Sequence, residues 1–128
     1  MNPPPTAIGL TLCDRIIIEE GTRNVSLVNC FSRLRAQSFP AVPAPFSVFA
    51  VLTNGHGDAT IQLVISRLDT LDEIDAQSLQ GHFPARLAEV RIFFRVAQCS
   101  FPTAGVYEVS LRVDGDVVTG RRLSVEPM

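Results

Sequence analysis

The chain has no tryptophan, no lysine, a single tyrosine and only three cysteines in 128 residues. Without lysine, Schiff-base catalysis and the phosphate-gripping lysine of a P-loop are excluded, because both need the amine itself. All eleven basic residues are arginine, a usage that reads as codon bias of a GC-rich genome. Positive charge is also scarce overall: net charge is −2 and pI is near 5.6, so the broad field that neutralises phosphates is missing and no nucleic-acid partner is expected. No apolar run approaches the ~18–20 residues of a membrane-spanning helix, so no membrane partner is expected either. The amino terminus, Met-Asn-Pro-Pro-Pro-Thr-Ala, lacks the basic stretch and apolar run of a secretory signal. Cys13, Cys30 and Cys99 form an odd, sparse set, which suits free thiols in a reducing cytosol. A cytoplasmic protein is the expectation.

What is present is core material. Hydrophobic residues make up 46% and charged residues 19%, enough for one domain and too little chain for two. Residues 1–6 form a proline-rich extended lead-in, and 7–128 the domain. From there the dominant period is two. Ile8, Leu10, Leu12, Ile16 and Ile18 fall on even positions and Val25, Leu27 and Phe31 on odd ones, separated by Glu-Glu-Gly-Thr-Arg-Asn at 19–24. A turn centred on Gly21-Thr22 pairs Leu12 with Phe31, Ile16 with Leu27 and Ile18 with Val25, so the apolar register closes without a slip. The same register sets Cys13 opposite Cys30 on the other face, where a cross-strand disulfide is geometrically feasible but disfavoured by a reducing compartment.

Three prolines between Pro40 and Pro45 forbid helix and central strand, so 38–45 reads as a loop crossing between sheets. Phe46 to Thr53 is apolar on both faces, with Phe49 and Val51 on the side that should be wet. Asn54-Gly-His-Gly-Asp58 turns into a strand over 60–69. Residues 74–83 read as an irregular strand, because Gly81 and Pro84 would cut a helix short. Ala88 to Val96 alternates most cleanly. Tyr107 to Val113 and 117–125 make a last hairpin about Asp114-Gly-Asp116, with a bulge near Gly120 reconciling Val118 with Leu123 and Val125. Short strands at roughly 8–12-residue spacing with no amphipathic helix predict an all-β, antiparallel two-sheet sandwich of about seven to nine strands.

Pro102-Thr-Ala-Gly-Val-Tyr-Glu-Val-Ser-Leu-Arg-Val-Asp-Gly115 resembles the penultimate strand and last hairpin of immunoglobulin-like sandwiches, where a tyrosine after a turn anchors the corner. Together with Phe31-Ser-Arg-Leu-Arg-Ala-Gln-Ser-Phe-Pro40, it resembles a family of small single-domain bacterial proteins of unknown function. The resemblance implies an immunoglobulin-like fold and a bacterial cytosolic setting, and it brings no catalytic residues. The chain departs from antibody domains in lacking their tryptophan and paired core cysteines.

Catalytic and metal motifs are sparse. His56 and His82 have no partner at metal-ligand spacing, and the cysteines show no CxxC. Gly55-His-Gly57 lacks the third glycine and following helix of a phosphate loop. No Gly-x-Ser-x-Gly elbow exists, which removes the simplest hydrolase route. Asp69, Asp72, Glu73 and Asp75 lack the calcium-loop order and read as a solvated acidic turn. Asn24-Val-Ser26 is a glycosylation sequon without a secretory context. No catalytic residue, metal or cofactor is therefore assigned.

The sharper signal lies opposite the core. Arg91, Phe93 and Arg95 alternate outward on the cleanest strand, Phe49 and Val51 do so on another, and Arg112 and Arg121 are expected on neighbouring strands of the same sheet. Arginine beside aromatic rings is the composition of protein interfaces; arginine stems simply covering Phe93 is the competing account. The reading is a non-enzymatic module that binds another protein or itself, with Phe49, Val51, Arg91, Phe93 and Arg95 as the candidate interface. The alternative is a small-molecule or carbohydrate binder using loops 54–58 and 69–75, weakened by the scarcity of stacking aromatics. An enzyme, such as a hydrolase assembled from residues distant in sequence, is the remaining one.

Overall fold

The computed structural model describes residues 3–128, and every regular element in it is a strand. In chain order these are β1 (Thr6–Ile18), β2 (Val25–Phe31), β3 (Arg33–Ala36), β4 (Phe46–Thr53), β5 (Gly57–Arg67), β6 (Glu73–Phe83), β7 (Val90–Val96), β8 (Gly105–Val113) and β9 (Asp116–Pro127). They form two sheets, ordered β2-β1-β4-β7 and β3-β9-β8-β5-β6. The sequence is β-branched and aromatic at alternate positions, which suits a pleated surface buried on one side.

The core lies between the sheets. Leu12, Phe46, Val48 and Leu52 from the first face Ile61, Leu63, Tyr107, Leu111 and Leu123 from the second, all almost fully buried. Each such side chain contributes about 1.5–3 kcal/mol through removal of apolar surface from water. β4 is an interior strand of its sheet, flanked by β1 and β7; Phe46, Val48, Ala50 and Leu52 are buried against the other sheet, while Phe49 and Val51 on the opposite face are half-buried. The proline-rich segment after β3 carries the chain from one sheet to the other, held by the bridge between Ala41 and Phe101. Tyr107 donates its hydroxyl proton to the carbonyl of Thr103 at 2.6 Å and packs edge-on against Phe101, fixing the turn into β8. The anchoring role expected of this tyrosine is present.

The first hairpin pairs Leu12 with Phe31, Cys13 with Cys30, Ile16 with Leu27 and Ile18 with Val25, as the apolar pattern requires. Glu73–Phe83 is a strand in which Gly81 packs closely on the core: an added Cβ would lie 2.6 Å from Ile61 Cδ1, so the Ile61 side chain would have to shift. Several expectations are corrected. β1 begins at Thr6, inside the expected lead-in, of which residues 1–2 lie outside the described residues. The β1–β4 register shifts between Ala7 and Leu10, around Gly9 at φ +150°, so Ile8 turns outward and is exposed although its parity matches Leu10. The β8–β9 shift falls between the pairs Leu111–Thr119 and Arg112–Val117, which places the bulge at Val118 rather than at Gly120. The sandwich is not wholly antiparallel, because β3 lies parallel to β9.

Candidate binding groove

β1 outruns its partner. Its pairing with β4 ends at Cys13–Ser47, yet the strand continues to Ile18 with β2 alone beside it. At that point the apolar row of the hairpin is interrupted by Asp14 and Asn29. Asn29 takes a left-handed backbone at φ 55°, a region that asparagine tolerates better than most residues, and its side-chain amide donates to the Asp14 carboxylate at 2.7 Å. The polar step separates a proximal half, docked on the core through Leu12 and Phe31, from a distal arm.

Two arginines of β7 hold that arm. Arg95 Nη1 donates to the Asp14 carbonyl at 2.7 Å and to Ser47 Oγ at 2.8 Å, while Arg91 Nη1 donates to the Arg23 carbonyl at 2.5 Å. Arg91 lies four positions back along β7, roughly 13 Å at about 3.4 Å per residue. Contacts at both ends mean that the arm runs alongside the outer face of its own sheet. Between them Arg15, Ile16, Ile18, Ser47, Phe93, Phe94 and Arg95 line a groove of about 370 Å³.

The outward residues selected from sequence converge on this face. Phe49 stands opposite Phe93 and Val51 opposite Arg91 across the β4–β7 ladder, and the two rings lie 5.3 Å apart at 45°. Phe49 and Val51 are half-buried, whereas Phe93 retains 38% of its surface in contact with solvent. Arg112 and Arg121 do not join them, which corrects the single-sheet expectation. Arg112 belongs to β8 in the other sheet and faces Glu73 at 3.5 Å; Arg121, on β9, donates to the Leu10 carbonyl at 3.0 Å and so ties the two sheets together. Alternation assigns a residue to a face of its strand and leaves the strand's neighbours open.

β7 is also an edge strand. Gln77 of β6 donates its side-chain amide to the Arg95 carbonyl at 3.0 Å, so the other sheet reaches β7 at this end. In an antiparallel ladder N–H and C=O of one residue share a side, with alternation along the strand. Alternate residues of β7 therefore present main-chain groups to its outer edge.

Arg15, Ile16 and Ile18 are groove residues that alternation alone assigned to hairpin faces. The signal for them was the polar pair Asp14 and Asn29 breaking an otherwise apolar row. The loops of the alternative reading fare differently. Loop 54–58 sits where Gly57 pairs with Phe83, and 69–75 lies at the far end of the same hairpin, where Ser66 pairs with Glu73. At about 3.4 Å per residue they are roughly 30 Å apart and cannot share one small ligand. Within the second loop the Arg67 guanidinium, hydrogen-bonded at 2.8 Å, holds the Asp69 carboxyl below the usual carboxylate range. In the first, Asp58 Oδ1 lies 2.7 Å from His82 Nδ1 on an exposed rim. Among the described residues, no three His, Cys, Asp or Glu side chains converge to hold a metal ion, and no helix is long and apolar enough to cross a membrane.

Fold and groove together define a single-domain, all-β, two-sheet sandwich whose own hairpin arm overhangs one outer face. The model of a family of unknown function, DUF6941, matches residues 9–126, and the chain belongs to that family. No curated protein matches the chain.

Proposed function

We propose that this protein is a non-enzymatic, immunoglobulin-like interaction module that takes an extended, acidic segment of another protein along β7, beneath the hairpin arm. The observation that carries this reading is the charge left over in the groove. Among the described residues, Arg33, Arg35, Arg67 and Arg112 each have a carboxylate within 4 Å; Arg15, Arg91 and Arg95, gathered about one groove, have none, as is also true of the dispersed Arg23, Arg86, Arg121 and Arg122. Arg91 and Arg95 each spend one nitrogen on a main-chain carbonyl, and a guanidinium has five donors. Carboxylates alternating with apolar side chains in an added strand would match this spacing, with main-chain bonds to alternate residues of β7 supplying register. Self-pairing of two β7 strands about Phe93 is disfavoured, because it sets Arg91 against Arg95 of the other copy.

The test is fluorescence anisotropy with labelled nonapeptides in which glutamate alternates with valine, against neutral glutamine–valine controls. Binding is expected for the acidic series, weakened at least about tenfold by Phe93→Glu. No binding by the acidic peptides, or binding indifferent to Phe93→Glu, would refute the proposal. Light scattering on wild type and on the Phe93→Glu, Phe49→Glu double variant separates the other occupant: a dimer dispersed by the substitutions would assign the face to a second copy.

A further inference from the structure

We infer that Cys13 and Cys30 are a reversible redox-modification site, oxidised to a disulfide across the first hairpin by low-molecular-weight disulfides. The two residues are direct partners in the β1–β2 ladder and both thiols are free. Directly opposed residues of an antiparallel pair have Cα atoms about 4.5–5.5 Å apart, inside the roughly 4.4–6.8 Å span of protein disulfides. A bond between them needs no movement of one element past another.

The pair is asymmetric, and the asymmetry assigns the roles. Cys30 is exposed on edge strand β2, while Cys13 is fully buried in the next strand, opposite Ser47, whose hydroxyl accepts from the Arg95 guanidinium. A small disulfide reaches Cys30 alone. The Cys30 thiolate attacks one sulfur of the reagent RSSR, forming a mixed disulfide and expelling RS⁻. The Cys13 thiol then gives up its proton to solvent and attacks Cys30 Sγ, the mixed bond breaks, and a second RS⁻ leaves. Two protein thiols are oxidised to one disulfide and RSSR is reduced to two RSH. Burial, then the neighbouring Cys30 and Asp14, push the Cys13 thiol above its ordinary value, which suits a group that resolves an adduct at its side rather than one that attacks reagents in solution. Cys99, buried within the core cluster, serves as an internal control.

The experiment treats the full chain with oxidised glutathione and reads intact mass and proteolytic peptides. The wild type is expected to lose two hydrogens, retain no glutathione and yield a linked peptide pair containing residues 13 and 30. Cys13→Ser is expected to trap one glutathione on Cys30, and Cys30→Ser to remain unmodified. Should Cys13→Ser fail to fold, Cys13→Ala, which leaves no hydroxyl in the buried site, gives the same readout. A wild type that keeps its glutathione as the Cys13 variants do, or that links through Cys99 or to a second copy, would overturn the inference. A wild type that stays fully reduced while a small alkylating reagent modifies Cys30 would overturn it equally.

Discussion

The outer faces of the two sheets have one thing in common and differ in another. Each is built around a buried centre outside the main core: Val64 and Ser110 on the five-stranded sheet, Cys13 and Ser47 on the four-stranded one. On the five-stranded sheet several polar groups pair with one another, Arg112 facing Glu73, Ser110 donating to Glu108, and Arg33 facing Glu126 at 3.2 Å, while Arg112 Nε and Asp75 Oδ2 are buried without a hydrogen-bond partner. On the four-stranded sheet the arginines find only carbonyl and hydroxyl oxygens, and Phe93 stays partly uncovered. The five-stranded sheet pairs Arg33, Arg35 and Arg112 with carboxylates and leaves Arg122 without one, whereas on the four-stranded sheet Arg15, Arg91 and Arg95 all lack one and Phe93 lies between the last two on β7. That contrast, more than the exposure of any single residue, is what supports the proposed interaction surface.

Substituting the same chemistry on both faces should break the symmetry most visibly. Val64→Asp puts an unpaired carboxylate at a position only 2% exposed, and a loss of about 3–5 kcal/mol in urea unfolding is expected. Phe93→Glu should cost about 1 kcal/mol or less, because the new charge reaches water beside Arg91 and Arg95, while weakening the proposed binding of acidic peptides at least about tenfold. Equal destabilisation by the two would show that Phe93 is core and end the comparison. A smaller contrast comes from the arginines. Arg95→Ala removes donors to Asp14 and Ser47, so a loss of about 1–2 kcal/mol and faster amide exchange over residues 14–24 are expected. Arg112→Ala, which breaks a 3.5 Å pair at the surface, should cost only about 0.2–1 kcal/mol and leave exchange in the hairpin unchanged. At Asn29, both variants lose the bond to Asp14, and Asn29→Ala should cost about 1 kcal/mol more than Asn29→Gly in urea unfolding, since alanine resists φ 55°.

Why some of this was legible in the sequence and some was not follows from what a period of two encodes. It fixes which residues share a face and, where a turn is short, which residues oppose one another; hence the hairpin register from Leu12–Phe31 to Ile18–Val25 and the double-sided β4 were readable. Tyr107 and the proline-rich crossing were readable because their backbone chemistry is local. Sheet membership is not local. Nothing near Arg112 or Arg121 says that β8 and β9 pair with β5 and β3 rather than with β7, and the parallel β3–β9 contact joins residues some ninety positions apart. Bulges at Gly9 and Val118 invert parity by one residue, which is invisible to a pattern read without its partner strand. The groove combined both difficulties: its floor was found by alternation, its arm only through the long-range contacts of Arg91 and Arg95 with the Arg23 and Asp14 carbonyls.

The smallest effect tests the contrast between the two buried thiols. Cys99 lies in the core, where burial and then the nearby Asp75 charge push its thiol up to about 12 from the ordinary 9.0. Because the unfolded chain loses this proton first, it binds fewer protons than the folded chain between those values, and stability must fall as pH rises through that window. Cys99→Ala should flatten the alkaline fall in unfolding free energy measured from pH 8.5 upward, at the cost of a small cavity. Cys13 is raised as well, but it has Cys30 at its side and Arg95 against it, the one raising and the other lowering it. Oxidation of the Cys13–Cys30 pair removes that thiol from titration while leaving Cys99 in place. The alkaline slope that survives oxidation should therefore belong to Cys99, and a slope abolished by oxidation alone would transfer the effect to the outer face.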